Sequence, residues 1–177
     1  MDESEFSAMG VDDNTSHLAV NKYSLVEERY RTACECARSG DYEGAARMFE
    51  QIGLSSLDDF LIRYMARKYF LCAGICILAA KGEDGVVTAA ATAKTALVRY
   101  AAAADRLFVN TREYTLYEGL CDACESRDQQ KFVSMLREYE KDKEALERWQ
   151  VSVLLKIKKN LSQKNGETPN GTSNGTN

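Results

Sequence analysis

Between about residue 18 and about residue 160, apolar side chains recur every three or four positions, the period at which a helix carries one buried face. Short polar stretches divide the pattern into helices predicted at roughly 18–38, 42–53, 57–80, 86–108, 111–126, 129–141 and 143–160. The stretch SGDYEGAARMFE shows how one element hands over to the next. Gly40 can take a positive φ and end a helix, Asp41 can cap the amides that open the following one, and Tyr42, Ala45, Phe49 and Ile52 share its inner face. Arg127, Asp128 and Gln129 occupy the same places later in the chain, with Phe132 and Leu136 following as Ala45 and Phe49 do. Ser56 to Asp59 reads as a capping box with Asp in place of Glu, Asn110 with Glu113 reads as a second, and residues 81–85 form a glycine-containing loop.

This pattern predicts an all-α fold of antiparallel helical hairpins, each unable to bury its apolar face alone. The small residue Ala45 followed four positions later by Phe49 resembles the second helix of a tetratricopeptide-like unit. The Ala-rich stretch 86–107 is expected to be a closely packed inner helix, since Ala favours helix and permits close approach. In the last helix Leu146, Trp149, Val153, Leu154 and Ile157 form one stripe, so Trp149 is expected to be buried against the preceding hairpin. Lys156, Lys158 and Lys159 sit where they oppose the negative end of the helix dipole. Residues 1–17 read as a disordered acidic leader, 18–160 as the helical domain and 161–177 as a disordered tail rich in Asn, Gly and Thr.

Composition agrees with the helical reading: one Pro and eleven Gly among 177 residues leave few breakers. A net charge of −4, with no basic stripe interleaved with aromatics, points away from nucleic acid as a partner. The first residues lack the basic and apolar segments of a secretory signal, and no run of about 18 apolar residues occurs, so a cytoplasmic protein is expected. The six cysteines fall in pairs, Cys34/Cys36, Cys72/Cys76 and Cys121/Cys124, within helical pattern and without a supporting histidine, His17 being the only one. They are read as small buried hydrophobes, with no metal site. No phosphate loop, zinc-protease motif or nucleophile elbow is present, so no catalytic residue and no cofactor is assigned and no enzyme activity is expected.

Four segments carry a resemblance to a known family: DYEGAARMFEQIG (41–53), LIRYMARKYFLCAGIC (61–76), TREYTLYEGLCDACESRD (111–128) and ERWQVSVLLKIKK (147–159). Together, over about two thirds of the chain, they resemble the C-terminal part of the α-class soluble NSF attachment proteins, the adaptors of vesicle fusion. The last is the most specific, joining a Trp to a Leu-Leu-basic-Ile-Lys-Lys ending.

The resemblance implies a right-handed solenoid of helical hairpins closed by a C-terminal helical bundle. It implies a protein that clasps the SNARE four-helix bundle on a concave basic face and presents acidic residues to the hexameric ATPase NSF, associating with membranes peripherally through the SNAREs. On this chain the SNARE-contacting positions correspond to Arg31, Leu61, Arg63 and Arg67, and the NSF-facing acids to Asp122 and Glu125, with Ser126 replacing a third acid and Asp128 standing two residues on. Another basic position of the family falls near Glu27. The resemblance omits the N-terminal half of the family pattern, the loop around KGEDGVV is longer, and the chain ends in SNGTN instead of an acidic tail with a penultimate Leu. Binding with poor stimulation of the ATPase is therefore expected. Two alternatives stand beside it: a helical-repeat scaffold or truncated competitor that binds without stimulating NSF, and a membrane-surface protein acting through its Lys-rich last helix.

Overall fold

The computed structural model describes residues 13–82, 84–141 and 145–162, with side chains from Lys22 onward. Seven α-helices run through them: α1 (Asp13–Ser39), α2 (Tyr42–Leu57), α3 (Ala66–Ala79), α4 (Val86–Ala104), α5 (Arg112–Glu125), α6 (Gln129–Glu140) and α7 (Arg148–Ser162). Two 3-10 turns, Arg63–Met65 and Asp105–Leu107, precede α3 and follow α4. Among the described residues there is no strand, and the fold is all-α. Of the expected leader and tail, residues 1–12 and 163–177 lie outside the described residues, while α1 already begins at Asp13 and α7 ends at Ser162.

The corners form where local chemistry demands them. Gly40 takes φ 92° and the Asp41 carboxylate accepts the Gly44 N–H at 2.9 Å, opening α2. The second corner repeats this with Arg127 at φ 53° and the Asp128 carboxylate accepting the Lys131 N–H at 2.8 Å, opening α6. Consecutive helices then pack on one another from α1 to α6, while α7 folds back onto α3 and touches α1, α4 and α6.

Four expectations change. The helix expected at 57–80 is broken, because Ser56 is a buried residue inside α2 whose hydroxyl donates to the Ile52 carbonyl, and Asp59 instead caps Leu61 in a loop that leads to α3. The cap of α5 is Thr111, whose hydroxyl oxygen accepts the Tyr114 N–H, and not Asn110, which stands at φ 72°. The inner helix is α3 and not the Ala-rich α4. From Tyr69 to Cys76 every residue of α3 is buried, and a Cβ on Gly74 would fall 2.3 Å from the Tyr117 ring, so only glycine admits that crossing. α4 buries one stripe, Val86, Ala89, Ala93, Ala96, Leu97 and Tyr100, and leaves Val98 exposed on the other side. Trp149 is buried as expected, but its partner is Phe49 of α2, with ring centroids 5.3 Å apart and planes 9° from parallel.

Candidate functional site

Two neighbouring clefts lie where α1, α3 and the start of α7 meet. The first, of about 390 Å³, is walled by Glu27, Tyr30, Arg31 and Arg38 of α1 and by Lys68 of α3. The second, of about 430 Å³, lies between Tyr64, Arg67 and Lys68 on one side and Glu113, Tyr139 and Leu146 on the other. Lys68 and Glu147 border both. The helical spacing of Arg31 and Arg38, two turns apart, puts both on the same wall. Glu27 stands on it too, so the wall carries an acid among its bases.

Glu147 holds these elements together. The Tyr30 hydroxyl donates to its Oε1 at 2.5 Å, Lys68 Nζ approaches the same oxygen at 2.9 Å, and the Trp149 indole N–H donates to Oε2 at 3.2 Å. Gln150 Oε1 accepts the Glu147 backbone N–H at 2.8 Å, the returning half of a capping box for α7. Partial burial opposes ionisation of Glu147, but the hydrogen bonds from Tyr30 and Lys68 outweigh it and hold the carboxyl below its ordinary value. Burial first, and with it the neighbouring Glu147 carboxylate, push the Tyr30 hydroxyl far above its ordinary range, so it remains a donor.

The four residues matched to SNARE contact differ in availability. Arg31 and Arg63 are exposed and have no ion pair among the described residues; Leu61 is exposed beside Arg63. Arg67 is partly engaged: its Nε lies 3.8 Å from Oε2 of Glu113, a buried carboxylate oxygen that no hydrogen bond satisfies. Lys68 and Arg38, not singled out in the sequence, join Arg31 in the first cleft.

The acids matched to NSF contact lie at the corner of α5 and α6. Asp122 and Glu125 occupy the last turn of α5, where the helix dipole disfavours negative charge. Lys94 of α4 compensates, reaching Asp122 at 2.9 Å and hydrogen-bonding Glu125, and Lys131 of α6 reaches Asp122 at 3.3 Å. The Lys94 hydrogen bond is the leading reason that the Asp122 carboxyl is held below its ordinary value. Asp128 is the N-cap of α6.

All cysteines but the half-buried Cys36 are buried, and burial pushes the Cys124 thiol up to about 12 and those of Cys72, Cys76 and Cys121 well above their ordinary value, which disfavours the reactive thiolate. Trp149, Val153, Leu154 and Ile157 are buried, so the stripe that a membrane-surface helix would present is already covered by the core. Among the described residues no helix is long and apolar enough to cross a membrane.

Residues 18–162 match the family described as soluble NSF attachment protein, SNAP. The chain is 36% identical over 131 residues to a probable vesicular-fusion protein sec17 homolog of Neurospora crassa, covering 74% of this chain and 42% of that one. It is 34% identical over 122 residues to an alpha-soluble NSF attachment protein of Dictyostelium discoideum, covering 69% of this chain and 39% of that one. To a beta-soluble NSF attachment protein of Bos taurus it is 29% identical over 152 residues, 86% of this chain and 46% of that one. No solved structure gives a significant match. The chain thus spans less than half the length of these three relatives.

Proposed function

The chain belongs to the soluble NSF attachment protein family, and from that membership we propose that it is a non-catalytic adaptor of vesicle fusion and intracellular protein transport. In this reading it binds the assembled SNARE four-helix bundle and recruits the NSF ATPase for its disassembly. It works in the cytoplasm, held at membranes through the SNAREs. The observation that carries the reading is the pair of exposed cations without an ion pair among the described residues, Arg31 and Arg63, with the exposed Leu61 beside Arg63. Exposed guanidinium groups without a counter-ion steer an acidic helical bundle and add specificity, and they contribute little to folding. Arg67 contributes through its exposed outer edge, and Asp122 and Glu125, with Asp128 adding to the local field, attract a basic surface of NSF.

The test is binding of the purified chain to immobilised SNARE bundle, followed by addition of NSF with and without nucleotide. Arg31→Glu/Arg63→Glu is the informative variant, since reversing Arg67 would set a second carboxylate against the buried Glu113 and harm folding. Binding that is lost in this variant, with helicity and Tm kept, supports the reading. A chain that ignores the bundle would leave the helical-repeat scaffold. NSF recruited without faster ATP hydrolysis would identify the chain as a competitor that binds without stimulating.

A further inference from the structure

The loop between α2 and α3 exposes Phe60, Leu61 and Tyr64 by 75%, 63% and 54%, three large apolar side chains within five positions. Isolated exposed apolar residues need no explanation, but a contiguous group marks a contact surface. Its exposure is fixed by the backbone. Asp59 accepts the Leu61 N–H at 2.9 Å through its carboxylate and the Arg63 N–H at 2.8 Å through its carbonyl, and its side chain pairs with Lys22 of α1 at 3.0 Å. Ile62 turns inward and is buried with Val26, Ile52 and Tyr69. With the loop pinned at Asp59 and Ile62, Phe60 has no core within reach. The Arg63 guanidinium lies 4.8 Å from the Phe60 ring centroid, covering one face of the ring and leaving the other open.

We infer that Phe60, with Arg63 stacked on it, is an anchor that enters an apolar pocket rimmed by carboxylates on a helical-bundle partner, the SNARE bundle of the proposed function. The inference rests on that reading and adds to it a residue which matches none of the contact positions carried over by resemblance. Aromatic and Arg side chains dominate the energetics of protein interfaces, and a ring already held by its neighbour loses little freedom on docking. The Arg63 guanidinium, exposed and without a counter-ion among the described residues, suits the carboxylates of an acidic helical bundle.

The experiment titrates the full chain against immobilised SNARE bundle over a range of salt concentrations, for the wild type, Phe60→Ala, Phe60→Leu and Arg63→Glu, with vesicles of phosphatidylcholine alone or with phosphatidylserine as a second target. Phe60→Ala is expected to weaken bundle binding by about tenfold or more at every salt concentration, with Tm unchanged and the salt dependence parallel to that of the wild type. Phe60→Leu is expected to recover part of the loss, and Arg63→Glu to change the salt dependence itself. A wild type that binds while Phe60→Ala binds equally well overturns the anchor and leaves the adaptor reading standing. A wild type that does not bind the bundle overturns both. Vesicle binding by the wild type that requires Phe60 would reassign the loop to lipid and overturn the anchor as stated.

Discussion

The two charged faces of the molecule are built on opposite terms. Arg31 of α1 and Arg63 of the turn before α3 have no internal counter-ion among the described residues, and the acid that organises the α1–α3 clefts, Glu147, is saturated by Tyr30, Lys68 and Trp149. At the α5–α6 corner the acids Asp122 and Glu125 are already bound to Lys94 and Lys131. Formal charge therefore says little about availability. The cationic face can meet a partner as it stands, while the acidic corner must exchange its own lysines for a partner's.

The faces also differ in what holds them. The cationic clefts depend on α7, which is pinned by the Trp149 and Phe49 stack, whereas the acidic corner is built from α4, α5 and α6. The strongest way to break the comparison is Trp149→Ala, expected to cost about 3–5 kcal/mol in urea unfolding because it empties a buried aromatic site. In native-state hydrogen exchange the amides of α1 should lose more protection than those of α5. Equal loss in both would show that the two faces open as one unit. The same burial predicts a blue-shifted Trp emission in the folded chain.

A smaller effect isolates the Glu147 contacts. Glu147→Gln keeps the shape but removes the charge that Lys68 meets, and is expected to lower stability at pH 7 by about 1–2 kcal/mol. The Glu147 carboxyl is held below its ordinary value of 4.5, so its contribution is complete above that pH and is lost as pH falls through the lower folded value. The wild type should thus lose stability below about pH 4.5 more steeply than the variant. Asp59 and Asp122, also held low, keep the rest of the acid-side slope in both. Parallel pH profiles for the two proteins would mean that Glu147 is no more ionised in the fold than in the open chain.

What the sequence disclosed and what it hid follows the range of the forces. The corners at Gly40–Asp41 and Arg127–Asp128 are local, each set by a positive φ and one cap, and were legible from residue types alone. The break after α2 was not, because Ser56 and Asp59 look like a cap until Ser56 is seen packed inside α2 and Asp59 tied to Lys22 of α1. Trp149 was visible as buried, but Phe49, its partner, lies on a helix far away in sequence. The candidate contact residues were legible as charges; that Arg67 faces Glu113 and Asp122 faces Lys94 depends on helices brought together by packing. Phe60 is hidden in the sequence because an aromatic next to apolar neighbours reads as core, and only the inward turn of Ile62 leaves it outside.

The smallest effect tests the acidic corner directly. Lys94 is bound to both Asp122 and Glu125, so a basic partner surface that uses these acids competes with it for the same oxygens. Lys94→Gln removes that competitor while keeping a side chain of similar length. The local field becomes more negative, and affinity for NSF is expected to rise about two- to fivefold at low salt, with a steeper salt dependence because more uncompensated charge is screened. Lys94→Arg should behave as the wild type, since it preserves the charge. Binding to the SNARE bundle should be the same for all three proteins, because Lys94 lines neither cleft of the cationic face. Surface plasmon resonance with immobilised NSF and, separately, immobilised bundle reads both sides of the comparison. Weaker NSF binding by Lys94→Gln would mean that Lys94 positions the carboxylates instead of competing for them, and an unchanged affinity would take Asp122 and Glu125 out of the NSF contact.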